Sequence, residues 1–389
     1  MPNLVIYIHK ISLLKTFVNP LVINLERIYK IHVFHINSLY DKTNIKTNYH
    51  CYDIGKKTLS DIQELIREID PVWVMSLGFV SLNELLLVRI CKQLNIKILY
   101  VEHGLISQDT IFYNKISFKP KFINQALIRN LHFLNNYFSF VIKSNSSLQE
   151  LKVLYGAKIK HNFDGFKFTK AIFFSKESFT IINSLFKYNK GEYIINGFPI
   201  VQNSKDLNLI KLGMGPNGSE GKYVLYIHQP FIFDGLVPIN YDEEKEYLLQ
   251  LAEMVKLYEC ELIILIHPRE DTENYRTRFQ GTPIKISDGV NKVDLIAKSK
   301  FVLGHYSSLL ILASFLGKQI VEVPYPKLNR NFRTLIQGEV TLKSINELRS
   351  KEFSELVLTK CKNESGNRNQ LEISSFEELA KNIIDIINN

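Results

Sequence analysis

The sequence predicts an α/β protein made of two Rossmann-like halves, and three observations carry that expectation. Short apolar runs of strand length alternate with stretches of helical periodicity along most of the 389 residues. The alternation is interrupted by a glycine-rich stretch, Leu212–Gly221, and then restarts. Two later runs end abruptly on polar residues, 261–266 on His267-Pro268 and 301–303 on Gly304-His305. Central strands of a parallel sheet meet their ligand-binding edge in this way.

Residues 3–9 read as the first strand, followed by a helical stretch and a second strand over 31–36. Ser60 reads as the N-cap of the next helix, with Glu64 in its first turn. Pro71 introduces the strand 72–75, then come a helix over 82–94 and the strand 97–101. Residues 121–150 are basic and aromatic (Lys121, Arg129, Phe133, Tyr137, Phe140, Lys143). They read as a helix packing its aromatic residues inward, with a lipid-facing amphipathic surface as the alternative.

After the glycine-rich stretch the pattern predicts a strand at 223–227, a helix at 243–258 and a strand at 261–266. A helix at 291–299, a strand at 301–303, a helix at 307–316 and a strand at 319–323 follow. Pro324-Tyr325-Pro326 reads as a rigid turn. A closing helix spans 376–387, where Ser375 and Glu378 have capping-box spacing. The expected division is residues 1–215 and 216–389, with the closing helix in the second half.

Composition narrows the function classes. With 46% hydrophobic residues the core is ample, and no disulfide or metal staple is needed. Cys51, Cys91, Cys260 and Cys361 form no CxxC pair, which reads as reduced thiols of a cytosolic protein without zinc. No aspartate-rich cluster suggests another metal. The N-terminus reads as a strand, not a signal peptide, and no apolar stretch reaches the roughly 18 residues of a spanning helix. The net charge of +9 suits an anionic partner: a nucleotide, an acidic glycan or a membrane surface. A location in the cytoplasm, peripheral to the inner face of the membrane, is consistent with that charge. Nucleic-acid binding is the non-enzyme alternative, but the basic residues are scattered and no RNP, zinc-finger or helix-turn-helix signature accompanies them.

Three short motifs resemble a known family. His267-Pro268 resembles the HP motif of bacterial sialyltransferases, and Ser307-Ser308, 40 residues on, resembles their downstream serine motif. Residues 229–235, Gln-Pro-Phe-Ile-Phe-Asp-Gly, resemble the acidic-residue–glycine motif that supplies the general base. The likeness is to glycosyltransferase family 52, with polysialyltransferases and related capsule enzymes more distant, and it covers residues 223–326. It implies the GT-B architecture, two Rossmann-like domains facing a central cleft. It also implies metal-independent transfer of an acidic nonulosonic sugar from a CMP-activated donor to a lipooligosaccharide, capsule or other surface-glycan acceptor. No cofactor is implied beyond the donor substrate.

Residue roles follow from that resemblance and from position. His267 would hydrogen-bond the CMP phosphate and stabilise the departing charge, with Pro268 fixing the turn. Ser307 and Ser308 open a helix, where hydroxyls, backbone N–H groups and the helix dipole suit an anion. Gly304 and His305 would line the same donor site, Tyr306 would flank the nucleotide, and Arg269 would pair with a donor carboxylate or with Glu270 or Asp271. Asp234 is the first candidate base, and Asp164, in a second Asp-Gly pair, is the other. Phe233 and Phe163 stand where the family has a second acid. Glu102 and His103, beyond the strand 97–101, would touch the acceptor. Each of these has a plain structural alternative: a turn for the Asp-Gly pairs, a cap for the serines, a hydrogen-bonded core residue for the histidines. A UDP-sugar 2-epimerase and a CDP-glycerol-type polyol-phosphate transferase share the fold and are the competing enzyme readings.

Overall fold

The structure is a computed structural model. It describes residues 1–9, 13–39, 47–79, 81–104, 120–144, 147–159, 162–211, 221–233, 237–268, 270–288, 292–305, 307–325, 340–353, 355 and 373–388. The chain divides into two compact units, Met1–Asn203 with Leu371–Asn389, and Ser204–Gln370.

The first unit is a seven-stranded sheet in the order β3-β2-β1-β4-β5-β6-β7, with every pairing parallel. Its strands are β1 (Asn3–Tyr7), β2 (Lys30–His35), β3 (His50–Asp53), β4 (Pro71–Ser76), β5 (Lys97–Val101), β6 (Lys170–Phe173) and β7 (Tyr193–Ile195). The connections carry α1 (Asn19–Leu25), α2 (Leu59–Ile69), α3 (Leu82–Gln93), α4 (Pro120–Lys143), α5 (Ser147–Ile159) and α6 (Lys176–Phe186). Strand side chains alternate between faces, so each strand feeds two cores. Val5, Tyr7, Val74, Ile98 and Tyr100 join Phe133, Tyr137 and Phe140 of α4 on one face. Leu4, Ile6, Trp73, Met75 and Leu99 lie on the other with Leu21, Val22 and Leu25 of α1. Phe133, Tyr137 and Phe140 of α4 thus face the core, while Leu131, Phe138 and Ile142 are exposed.

Thr58, not Ser60, is the N-cap of α2. Its hydroxyl accepts from the Asp61 N–H at 3.3 Å, and the Asp61 carboxylate accepts from the Thr58 N–H at 2.9 Å. Thr58 and Asp61 have the cap-to-N3 spacing that closes both bonds, which Ser60 and Glu64 lack.

A short strand β8 (Phe198–Val201) ends this part of the chain. The second unit follows with α7 (Ser204–Lys211), β9 (Tyr223–Ile227), α8 (Tyr241–Lys256), β10 (Glu261–Leu265) and α9 (Thr272–Arg278). It continues with β11 (Ile284–Ser287), α10 (Lys292–Ala297), β12 (Val302–Gly304), α11 (Ser308–Phe315), β13 (Ile320–Glu322) and β14 (Val340–Thr341). Its sheet order is β11-β10-β9-β12-β13-β14, again wholly parallel. In both sheets the order reverses beside the first strand, between β1 and β4 and between β9 and β12. That doubly wound pattern makes each unit Rossmann-like and marks where ligands bind. Gly221 leads into β9 where a Cβ would lie 2.4 Å from the Lys298 carbonyl and the Lys300 nitrogen, so only glycine fits. Residues 212–220 of the expected linker lie outside the described residues.

The chain returns to the first unit through β15 (Ile373–Ser375), parallel to β8, and α12 (Phe376–Asn388). The Ser375–Glu378 capping box is present, with the Glu378 N–H on Ser375 Oγ at 3.1 Å and the Ser375 N–H on Glu378 Oε2 at 3.3 Å. Leu379, Ala380, Ile383 and Ile386 enter the core that contains Trp73. The closing helix therefore belongs to the first unit, not the second. Its apolar stripe finds a buried seat on the first sheet's face beside α1, and β15 pins it there. The chain's single tryptophan reports on that seat. Leu379→Ala, at a fully buried position, is expected to lose about 2–5 kcal/mol and lower the urea midpoint followed by tryptophan fluorescence. An unchanged midpoint would contradict this packing.

Candidate functional site

Parallel pairing in the second unit brings the exits of its strands to one edge. Ile227 is level with Leu265, and Leu303 is level with both Tyr226 and Val321. One residue beyond the strands, His228, Ile266 and His305 emerge in a row, with His267-Pro268 a step further out.

The core of this edge is a polar network that sequence reasoning missed. The His228 side chain, 1% exposed, places Nε2 at 3.0 Å from Glu244 Oε1 on α8 and 3.2 Å from the Tyr275 hydroxyl on α9. Tyr275 donates to the other oxygen, Glu244 Oε2, at 2.8 Å. With that proton committed, the network assigns the His228 hydrogen to Nε2, donating to the carboxylate. Burial first, then the carboxylates of Glu244 and Glu270, push the Tyr275 hydroxyl far above its ordinary value, so it stays protonated as a donor. A carboxylate this deep needs such partners, since an uncompensated buried charge costs several kcal/mol. The one signal for His228 in the sequence is the form it shares with His267: a histidine directly after an apolar run.

That network braces the His267-Pro268 turn. The Glu270 N–H donates to the His267 carbonyl at 2.9 Å, closing the turn, and the Tyr241 hydroxyl at the start of α8 donates to Glu270 Oε2 at 3.4 Å. Asp271 then caps α9, with Oδ1 accepting from the Glu273 and Asn274 N–H groups at 3.0 and 3.3 Å. Tyr275 sits one turn later. His267 is partly exposed at this edge and Pro268 is exposed. Arg269 lies outside the described residues.

Ser307 is the N-cap of α11, its hydroxyl accepting from the Leu309 N–H at 3.2 Å. It stays partly exposed at the positive end of the helix dipole, so cap and anion site coincide. Ser308 is the first residue of α11, and its side chain is outside the described set. Gly304 ends β12 where a Cβ would be 3.2 Å from Leu310, so its small size lets the helix start close to the sheet. Tyr306, Asp234 and Gly235 also lie outside the described residues. Beside the same edge, an open pocket of about 470 Å³ is lined by Glu243, Glu246, Tyr247, Tyr325 and Lys343. Its carboxylates suit hydroxyl groups better than phosphate.

Three expected roles meet different surroundings, and a fourth residue stands where it was expected. His305 is 4% exposed, and its Nε2 accepts from the Tyr226 hydroxyl at 3.2 Å, with the Phe231 ring edge-on at 4.8 Å. Burial, with a smaller effect of His228, pushes its pKa down to about 3 against the opposing Tyr325 backbone. It is a neutral interior histidine joining β9 to β12 and does not touch a donor. Glu102 is fully buried: its carboxylate accepts from the Phe174 N–H at 2.6 Å and the Ser178 hydroxyl at 2.7 Å. It ties β5 to β6 and the start of α6, so it cannot reach an acceptor. Asp164 opens a short turn that leads into β6 and sits 3.5 Å from Lys187 in solvent. That is the amino edge of the parallel sheet, opposite the strand exits where such sheets bind ligands, which counts against Asp164 as the base. His103 does lie at the exit of β5, partly exposed, with Nδ1–H donating to the Leu77 carbonyl.

Among the described residues, no group of three or more His, Cys, Asp or Glu is placed to hold a metal ion. None of their helices is long and apolar enough to cross a membrane.

Neither a protein-family model nor a curated protein matches the sequence. Solved structures do. The UDP-GlcNAc 2-epimerase of Methanocaldococcus jannaschii, in complex with UDP-GlcNAc and UDP, matches at 16% identity and a TM-score of 0.52, over 100% of this chain and 99% of that one. The H548A variant of the wall teichoic acid polymerase TagF matches at 11% identity and a TM-score of 0.54, over 100% and 89%. The S. aureus MnaA–UDP structure matches at 13% identity and a TM-score of 0.50, over 100% and 96%. The fold is GT-B. At these identities the likeness is one of fold.

Two outcomes follow. Folded His305 takes its proton near pH 3, whereas an unfolded histidine does so near 6.5. Between those values the unfolded chain holds the extra proton, so this contribution is full above about pH 6.5 and is lost as pH falls toward 3. His305→Gln, which keeps an acceptor for Tyr226, should flatten the fall of the urea midpoint across that window; an undiminished slope would contradict a neutral buried His305. Asp164→Asn should change stability by no more than about 1 kcal/mol and leave nucleotide binding within error in calorimetry. A large loss of either would restore a role for Asp164.

Proposed function

We propose that this chain is a glycosyltransferase that uses a nucleotide-activated sugar, with the donor phosphate held at the carboxyl edge of the second unit. The observation that carries this is the braced His267-Pro268 turn on the same strand-exit edge as the Ser307-capped start of α11. A partly exposed imidazole there can donate to a phosphate oxygen as charge develops on the leaving nucleotide. The α11 N-terminus adds the dipole and backbone N–H groups that favour an anion. The Glu244–Tyr275–His228 network holds α8 and α9 in place, so the turn is preorganised before the ligand arrives.

The His-Pro and Ser-Ser motifs support a CMP-activated acidic sugar as the donor and a surface glycan as the acceptor. The net charge of +9 suits both an acidic donor and work at an anionic membrane face. The full-length likeness to an epimerase solved with UDP-GlcNAc and UDP supports a second reading, a UDP-sugar 2-epimerase. Calorimetry with CMP, CDP, UDP and GDP on wild type, His267→Ala and Ser307→Ala separates them. The expected result is CMP-selective binding weakened about tenfold or more by His267→Ala. UDP selectivity with sugar epimerisation would move the assignment to the second reading. Absence of binding to all four nucleotides would sink both.

A further inference from the structure

We propose that the first unit carries its own acid–base site for a sugar hydroxyl, with His9 as the base and Glu84 as its positioning carboxylate. The inference rests on the glycosyl-transfer reading above but on different residues. Three strand exits of the first sheet converge at its reversal point: β1 runs into His9, β4 into Leu77-Gly78 and β5 into Glu102-His103. A doubly wound sheet binds ligands at that crevice.

Glu84 lies on α3, only 4% exposed. Its Oε2 accepts from the Ser81 N–H at 2.9 Å, which fixes the carboxylate, and its Oε1 is 3.7 Å from His9 Nδ1. The His9 side chain is 26% exposed, so a dry carboxylate backs an imidazole that solvent and substrate can reach. At 3.7 Å the carboxylate is beyond hydrogen-bond distance of Nδ1 but close enough to favour the charge that the ring gains when Nε2 takes the proton. The His103 ring stands edge-on to His9 at 6.2 Å, with its tautomer set by the Leu77 carbonyl. Gly78 completes the seat. A Cβ there would lie 2.0 Å from Glu84 Oε1, and the carboxylate could yield only by leaving Ser81 and His9.

At this site the proton of a sugar hydroxyl passes to His9 Nε2, and the electron pair of the broken O–H bond stays on the oxygen, which is left as the nucleophile. This assigns a base without Asp164.

The test uses the full chain and two sets of probes. Ligand-observed NMR with methyl β-galactoside, methyl β-N-acetylglucosaminide and lactose is run on wild type, His9→Gln, Glu84→Gln, Gly78→Ala and His267→Ala, with CMP and UDP binding measured in parallel. Glu84→Gln keeps an acceptor for the Ser81 N–H and so preserves the helix cap. At least one glycoside should bind wild type, and binding should weaken about tenfold in His9→Gln and persist in His267→Ala. Turnover of the nucleotide sugar whose nucleotide binds should fall about 100-fold in His9→Gln and Glu84→Gln, with nucleotide affinity unchanged. Glycoside binding that is absent from wild type, or that survives His9→Gln, overturns the site whatever the nucleotides do. Glycoside binding that depends on His9 without any nucleotide binding would instead sink the transfer reading and support the hydroxyl site.

Discussion

Parallel pairing is the constraint on which the rest depends. When every strand of a sheet runs the same way, every exit surfaces on one edge and every entry on the other. In the second unit this puts His228, Ile266 and His305 in a row and sets His267-Pro268 and Ser307 at the same rim. In the first it gathers His9, Gly78 and His103 and sends Asp164 to the opposite side. Chemistry in this fold is therefore decided first by which end of a strand a residue follows, and only then by its type.

The second constraint is the cost of burying polar groups. His228, Glu244 and Tyr275 are almost wholly inside, and hydrogen bonds among them offset most of the cost, although His228 Nδ1 is left without a partner. Such a network is more directional than apolar packing, because moving α9 would break the Tyr275–Glu244 hydrogen bond and pull Tyr275 away from His228. It links the end of β9 to two helices and so fixes the turn between β10 and α9. Glu102 does the same in the first unit by holding the Phe174 N–H and the Ser178 hydroxyl. Both sheets thus use a buried carboxylate to stiffen the edge at which doubly wound sheets bind ligands.

What could be read from the sequence was what local pattern controls. The alternation of elements, the Ser375–Glu378 cap and the turn after residues 261–266 all depend on residues a few positions apart, and all are present. His228 escaped because its meaning comes from Glu244 and Tyr275, 16 and 47 residues away. Asp164 could not be placed from the sequence because β6, only four residues long, gave too little pattern to show that Asp164 precedes a strand. Glu102 and His103 are adjacent at the same strand exit, yet one side chain turns inward and the other reaches the surface. Period-2 alternation explains the difference, but only the sheet's packing says which of the two is inside.

In the proposed reaction an activated donor's phosphate sits between the His267 turn and the start of α11. A crystal structure of the chain with CMP or UDP bound tests it most directly. The expected result is a phosphate oxygen within about 3 Å of the His267 imidazole and a second within reach of the N-terminal amides of α11. A nucleotide bound with its phosphate away from both groups would contradict it.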